Sequence, residues 1–411
     1  MNTDIVLVAI NARYQHSSFG LRYLKANLAE LEARSLIVEF TINERAVDLA
    51  EKILARQPTV VGIGVYIWNI SIVQRLVRIL KSVAPDLTVV LGGPEVSYEH
   101  TDQPWLTDAD YIVCGEGEQT FTVLCRQLLA GERPGLKVQQ GTTPDMTELA
   151  MPYRLYTDDD VANRIIYVEA SRGCPYRCEF CLSSLDQKMR EVPLDAFFEQ
   201  METLLARGAR GFKFIDRTFN LSIPFALRVL EFFYIRLRPG LSLHFEMVPE
   251  RLPPELLDAL ARFPEGVIQL EVGVQTFDKV VAKRISRPLK INPLRQNIAA
   301  LRTQTSVHLH VDLIAGLPGE DLTSFAAGFD QLHALNPHEI QLGILKRLKG
   351  TPITRHADEF EMVYNQESPF EVLQTADLTF AELQEIKRIA RFWDLVSNNG
   401  QFPATSRLIW A

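Results

Sequence analysis

The chain reads as α/β from one end to the other, with a parallel sheet in its first third, an incomplete (β/α)6 barrel after it and a short helical segment at the C-terminus. Apolar, β-branched runs of strand length alternate with stretches whose apolar residues recur at helical spacing, a rhythm that implies parallel strands covered by helices. The rhythm breaks over residues 139–160, where Gly, Pro and Thr interrupt any steady period. Of 411 residues, 47% are hydrophobic and 23% charged, ordinary for a globular chain long enough for two domains. The expected division is a first domain over 1–138, an exposed linker over 139–163, a second domain over 164–365 and a helical extension over 366–411.

Residues 5–10 (IVLVAI) are continuous, apolar and β-branched, as in a strand buried on both faces. Leu21, Leu24, Leu28 and Leu31 then place a helix over 20–32. Strands follow at 36–42, 59–66, 88–91 and 111–114, and helices at 46–56, 70–83 and 119–129. Ligands of such sheets bind beyond the carboxyl ends of the strands. Those ends carry residues 11–14, then Tyr66, Trp68 and Asn69, then Gly92 and Gly93, and finally Gly115, Glu116 and Gly117. Neither G-x-G-x-x-G after the first strand nor a P-loop occurs, so the dinucleotide and nucleoside-triphosphate fingerprints are both missing. Cys114 and Cys125 fall on an apolar strand and helix and read as small core residues. His16, in a loop, reads as a hydrogen-bonding residue.

In the second domain a strand over 164–171 is followed by helix 194–207, strand 211–215, helix 223–237, strand 242–248, helix 254–262, strand 267–274, helix 293–303, strand 307–314, helix 322–335 and strand 339–345. Six β–α repeats suit a partial barrel of the TIM type, whose chemistry is built at the carboxyl ends of the strands. Polar residues cluster on or near those ends: Asp216, Asn220, Glu246, Glu271, Gln275, His310 and Asp312. Buried polar groups cost free energy unless satisfied, so each alone is as consistent with a structural hydrogen-bond network as with a site. A packing helix is expected over 381–397, with Phe392, Trp393 and Trp410 as core or lid residues.

Directly after the strand over 164–171 comes Ser171-Arg172-Gly173-Cys174-Pro175-Tyr176-Arg177-Cys178-Glu179-Phe180-Cys181, with three cysteines within eight residues. Thiolates are soft ligands that hold zinc or iron–sulfur clusters. Structural zinc is four-coordinate, so three thiolates leave it one ligand short. A [4Fe–4S] cluster held by three thiolates instead keeps one iron open to a small chelating molecule. The five cysteines are odd in number and three are clustered, which argues against a disulfide framework.

This spacing, with Phe180 before the last cysteine, resembles the signature of the radical S-adenosylmethionine (SAM) superfamily. The resemblance implies that Cys174, Cys178 and Cys181 ligate a catalytic [4Fe–4S] cluster whose open iron chelates SAM and whose electron splits it to a 5′-deoxyadenosyl radical. It also implies Phe180 beside the adenine, Asp216 and Asn220 near the methionine end, Glu271 and Gln275 toward the ribose or carboxylate, and Ile314 and Gly316 making room for the adenine. Residues 89–94 (VVLGGP) and 111–118 (YIVCGEGE) resemble the Rossmann-like cobalamin-binding domain that precedes the barrel in one branch of that superfamily. That resemblance puts Gly92 and Gly93 against the corrinoid and its nucleotide tail, Gly115, Glu116 and Gly117 on the next loop, and Tyr66, Trp68 and Asn69 near the lower corrin face. The chain departs from many such domains in having no Asp-x-His sequence, so cobalamin is expected without a histidine below the cobalt, an arrangement that favours giving up a methyl group.

The expectation is therefore a cobalamin-dependent radical SAM methyltransferase acting on an unactivated centre. Cobalamin-assisted cyclisation or rearrangement without methyl transfer, and a non-catalytic corrinoid or cluster carrier, stay open. A methylthiotransferase needs cysteines for a second cluster, and only Cys114 and Cys125 remain. A net charge of −8 offers nucleic acid no global basic field. No apolar run approaches the roughly 18 residues of a membrane span, and no signal-peptide pattern opens the chain. The expected setting is cytoplasmic, with a flavodoxin or ferredoxin as electron donor and a small molecule, peptide or RNA as substrate.

Overall fold

The computed structural model describes residues 3–287 and 289–400. Trp410, expected as a core or lid residue, lies outside them. The chain forms two compact units. One comprises residues up to 170 with 190–209 and 348–350, and the other 171–189, 210–347 and the chain from 351 onward.

The first unit opens with β1 (Ile5–Asn11), α1 (Phe19–Ala26), β2 (Ser35–Thr41), α2 (Ala46–Leu54), β3 (Val60–Gly64), α3 (Ile70–Val83), β4 (Thr88–Gly92), β5 (Tyr111–Cys114), α4 (Glu118–Leu129) and β6 (Val138–Gln140). The strands form one parallel sheet in the order β2-β1-β3-β4-β5-β6. The expected α/β class therefore holds. The order is the flavodoxin-like variant of a doubly wound sheet, which reverses direction between β1 and β3 and opens a ligand crevice there. Every residue of β1 is buried, as its unbroken apolar run requires of a central strand. Ile5, Leu7 and Ala9 share one core with Leu21 and Leu28 and with Phe121, Leu124 and Cys125 of α4. Helices α2 and α3 pack together, burying Leu49, Ile53, Val73 and Val77.

The helix expected over 20–32 divides. Its α-helical part stops at Ala26, because the Asn27 Nδ2 donates back to the Tyr23 carbonyl (2.9 Å) while its Oδ1 accepts from the Ala150 amide (2.9 Å). Ala29 turns into the left-handed region, and a 3-10 turn over Ala29–Arg34 still buries Leu31.

The expected exposed linker is corrected by the structure. Met146, Leu149, Tyr153 and Tyr156 are buried, and α5 (Asp158–Asn163) forms within the stretch. The two tyrosine hydroxyls donate to the carbonyls of Glu169 (3.1 Å) and Tyr167 (2.8 Å), which makes their burial affordable in polar terms. Thr157 and Asp160 form a capping box at the start of α5. Asp160 also meets the buried Arg22 (2.8 Å), which pairs with Glu39 (3.0 Å), so the segment is anchored to the first unit by a hydrogen-bonded charge network. Low periodicity and turn residues concealed this from a pattern-based reading.

The chain continues through β7 (Ile166–Val168), which belongs to the first unit, β8 (Ser171–Arg172), β9 (Arg190–Glu191) and α6 (Leu194–Ala206). In the second unit follow β10 (Gly211–Phe214), α7 (Ile223–Tyr234), β11 (Ser242–Met247), α8 (Pro254–Ala261), β12 (Ile268–Gln275), α9 (Lys279–Arg284), α10 (Ile291–Gln304), β13 (His308–Ala315), α11 (Leu322–Ala334) and β14 (Glu339–Ile344). Strands β10 to β14 lie parallel in sequence order, as barrel strands do. Burial alternates strictly along β12 and β13: Leu270, Val272, Leu309 and Val311 are fully buried, while Glu271, His310 and Asp312 lie on the other, half-buried face. The C-terminal part pairs β15 (Val363–Tyr364) with β16 (Val372–Gln374) and continues into α12 (Phe380–Trp393), opened by a Thr379–Glu382 capping box and followed by a π-helical turn over Asp394–Asn398.

Candidate functional site

In the first unit the loops after β1, β3, β4 and β5 gather at the carboxyl edge of the sheet. The β3 loop is fixed by Asn69, whose Nδ2 donates to the carbonyls of Ile10 (3.1 Å) and Gly64 (3.0 Å) and whose Oδ1 accepts from the Tyr66 amide (2.8 Å). Asn69 is 1% exposed, so its side chain braces backbone rather than facing a ligand. Tyr66 and Trp68 stack with ring centroids 4.5 Å apart and planes 4° from parallel. Trp68 donates its indole N–H to Ile10 (3.1 Å) and leaves an aromatic face 47% exposed at the reversal point of the sheet. Gly93 adopts φ +108°, and a Cβ there would stand 2.6 Å from the Val65 carbonyl, so only glycine lets the β4 loop lie against the β3 loop. Glu116 is engaged by Arg190, which also donates to the Pro144 carbonyl (2.9 Å). Gly92, Gly115 and Gly117 sit on the same edge. Cys125 lies in the core with its thiol pushed up to about 12 by burial, and Cys114 contacts His100 (3.3 Å).

In the second unit Cys174, Cys178 and Cys181 lie on one loop, the first two buried and the third half-buried. Cys174 Sγ sits 3.6 Å from the Thr218 hydroxyl, and its amide donates to the Asp186 carbonyl (2.8 Å). Burial pushes the Cys178 thiol up, and Arg287 beside it offsets only part of that rise. Among the described residues no three His, Cys, Asp or Glu side chains converge closely enough to share one metal ion. A cubane cluster does not require that, since each thiolate meets its own iron, and a three-thiolate loop fits it better than zinc.

The loop is held by a residue the motif reading passed over. Glu179, 2% exposed, accepts from His356 Nε2 (2.8 Å), Ser286 Oγ (2.6 Å) and Arg355. Its amide donates to the Ile285 carbonyl and its carbonyl accepts from the Ile353 amide, both at 3.0 Å. The only signal in the sequence was a carboxylate lodged between two cysteines.

The other expected residues separate into two groups. Asp216 is buried and accepts from the Ser171 hydroxyl (2.6 Å), just before the cysteine loop. Phe180 is half-buried on the loop itself. Glu271 meets His244 (2.9 Å) and Lys213 (3.7 Å), and the His244 hydrogen bond holds its carboxyl at about 2. Beside it, Glu246 faces Arg217 (3.4 Å), and burial pushes its carboxyl up. Burial works against a cation at His310, but Asp312 and Glu339 outweigh it and raise the imidazolium to about 10. Lys213, His244, Glu246, Glu271, His310 and Asp312 thus line one half-buried, charged face of the sheet, with Arg217 beyond the end of β10 beside Glu246. Gln275, at the end of β12, takes φ +73° and has a buried Oε1 without a hydrogen-bond partner. Ile314 is half-buried on the same side of β13 as His310 and Asp312.

Asn220 and Gly316 both lie against other parts of the second unit. Asn220 is fully buried, with Nδ2 on the carbonyls of Val248 (2.8 Å) and Arg251 (2.6 Å) and Oδ1 on the Val248 amide (3.0 Å), which leaves it a brace between backbone segments. Gly316 takes φ +86°, and an added Cβ there would stand 2.4 Å from Cγ1 of Val372 in β16.

Comparison with known proteins agrees with this layout. A model described as the B12 binding domain matches residues 5–125, one described as the Radical SAM superfamily matches 168–331, and one described as a protein of unknown function (DUF4080) matches 358–410. The 2-(S-pantetheinyl)-carbapenam-3-carboxylate methyltransferase of Streptantibioticus cattleyicolor is 24% identical over 320 residues, 69% of this chain and 46% of that protein. The cobalamin-dependent radical SAM methyltransferase TokK of Streptomyces tokunonensis is 24% identical over 331 residues, 70% of this chain and 47% of TokK. The chain thus matches about half the length of each of these relatives. The radical SAM methyltransferase TsrM from Kitasatospora setae, solved with cobalamin and a [4Fe–4S] cluster, superposes with a TM-score of 0.69 at 18% identity, covering 87% of this chain and 75% of TsrM, a likeness of fold. No helix among the described residues is long and apolar enough to cross a membrane. With the two domain models in this order, a doubly wound sheet under the first and the three-cysteine loop under the second, the chain carries a B12-binding domain followed by a radical SAM domain.

Proposed function

We propose that this chain is a cobalamin-dependent methyltransferase that acts on an unactivated centre of its substrate, with Cys174, Cys178 and Cys181 as cluster ligands. The observation that carries the reading is the cysteine inventory. Three thiols share one loop of the second unit, while Cys114 and Cys125 belong to the first, where Cys125 is in the core. A [4Fe–4S] cluster held by these three thiols would therefore keep one iron without a thiolate and open to SAM. The missing cysteines also disfavour a methylthiotransferase, which would need a second cluster.

When bound, the cluster supplies the electron that cleaves SAM and the corrinoid supplies a methyl carrier. This chain's own residues bind, orient and exclude. The exposed Trp68 face, stiffened by Tyr66 and tied to β1, offers a flat apolar platform for the lower corrin face. Gly92, Gly93, Gly115 and Gly117 let corrinoid edges approach backbone, and no Asp-x-His supplies a ligand to cobalt. In the second unit Glu271, kept ionised by His244, and Gln275, with its unsatisfied amide oxygen, are acceptors for the hydroxyls and ammonium of SAM. Asp216 acts through Ser171 to hold the start of the cysteine loop. A small one-electron carrier of the flavodoxin or ferredoxin type is the reductant, and the setting is cytoplasmic.

The test is anaerobic purification, iron, sulfide and corrinoid assays, then incubation with SAM and a reductant. Four irons per chain, one corrinoid and release of 5′-deoxyadenosine are expected. Zinc in place of iron, or intact SAM after reduction, would overturn the reading.

A further inference from the structure

Arg287 lies outside the cysteine loop and the strand-end motifs. It follows α9, and its amide closes that helix on the Ala282 carbonyl (2.8 Å). Its guanidinium reaches two groups. Nη1 donates to Cys178 Sγ (3.7 Å) and Nη2 donates to the Gly273 carbonyl near the end of β12. Its Nε is buried without a hydrogen-bond partner. Among the described residues no carboxylate pairs with it. The neighbouring residues dock the same segment on the cysteine loop, through Ser286 Oγ to Glu179 (2.6 Å) and the Glu179 amide to Ile285 (3.0 Å).

A half-buried cation without a counter-ion is costly where it stands, unless negative charge arrives beside it. The group on which Nη1 rests is a thiolate once it ligates iron. A cluster with three thiolates is anionic and gains a further electron on reduction, so an adjacent cation favours the reduced form. Hydrogen bonds to ligating sulfurs and nearby charge are among the factors that set such potentials. We infer that Arg287 is a positioning residue that raises the reduction potential of the cluster through Cys178 and clamps that ligand to the end of β12. This rests on the cluster assignment above.

The experiment compares the cluster-loaded wild-type chain with R287Q and R287K by EPR-monitored potentiometric titration without SAM. Lys keeps the charge but cannot fork to both acceptors. A midpoint shifted to more negative potential in R287Q, with a smaller shift in R287K and wild-type iron and sulfide content in both, is the expected result. An unchanged midpoint in R287Q overturns the inference, even if that variant melts at a lower temperature, because a merely structural staple predicts that outcome. Should R287Q fail to hold iron, the titration of R287K decides: a negative shift supports the role and a wild-type midpoint overturns it. Failure of both variants to hold a cluster in folded protein also overturns it, since the residue would then be needed for assembly rather than for the potential. If the wild-type chain itself takes up no iron, it is the cluster assignment that fails, and the two failures remain distinct.

Discussion

At the scale of single residues, the cysteine loop depends on a carboxylate that makes no contact with the proposed ligands' sulfurs. Glu179 is buried against His356, Ser286 and Arg355, so removing it leaves His356 buried with its partner gone. Breaking a buried pair from one side costs about 3–5 kcal/mol. Glu179→Ala should lower the unfolding free energy by that order and speed iron loss to a chelator, while Glu179→Gln, which keeps an acceptor for His356, should do less of both. Urea unfolding and chelator kinetics measure the two effects, and equal behaviour of the two variants would contradict the assigned role. Gly93→Ala should also destabilise, by about 1–3 kcal/mol in the same assay, because φ +108° and the Val65 carbonyl both exclude a Cβ. The three cysteines were legible because a spacing in sequence is kept within one loop. Glu179 was not, since a charged residue in a loop is usually solvated. The backbone-bracing bonds of Asn69 and Asn220 were not legible either, since a polar side chain at a strand end can turn outward or inward to backbone carbonyls, and only the fold decides which.

Among the elements, strands and helices with long apolar runs were the legible ones, β12 and β13 included, and their strict alternation of burial places Glu271, His310 and Asp312 on one face. Short elements without an apolar period were less legible: β6, α5 and α9 formed where no pattern announced them, α9 through the Asp278 side chain accepting from the Val280 and Val281 amides. The ends of β12 and β13 also carry a pH-sensitive contact. Glu320, beyond β13, is 2% exposed and accepts from the Thr276 hydroxyl beyond β12, and burial raises its carboxyl from 4.5 to about 7. Between those values the folded chain keeps a proton that the unfolded chain has released. Its contribution is therefore fully present below pH 4.5 and is lost as pH rises toward about 7, by about 3 kcal/mol at most. Urea unfolding of Glu320→Gln should show a shallower fall in stability across that window than wild type. A slope identical to wild type would exclude Glu320 as its source.

For the whole molecule, each candidate cofactor site is built within one unit: the corrinoid loops on a sheet with its own core, and the cysteine loop on residues of the second unit braced by Glu179. Each scaffold buries its apolar surface without help from a cofactor, so the two sites should load independently. Replacing Cys174, Cys178 and Cys181 together by Ala removes three thiols that all lie in the second unit, and should abolish iron binding while corrinoid uptake and the far-ultraviolet spectrum stay as in wild type. Trp68→Ala should do the reverse, weakening corrinoid binding by about tenfold through loss of an aromatic face, with iron content unchanged. Iron assay and the corrinoid absorption spectrum on the same samples read both. If the cysteine-free variant also lost its corrinoid, or Trp68→Ala its iron, the sites would be coupled through something other than their own scaffolds, and the assignment of one cofactor to each unit would fail.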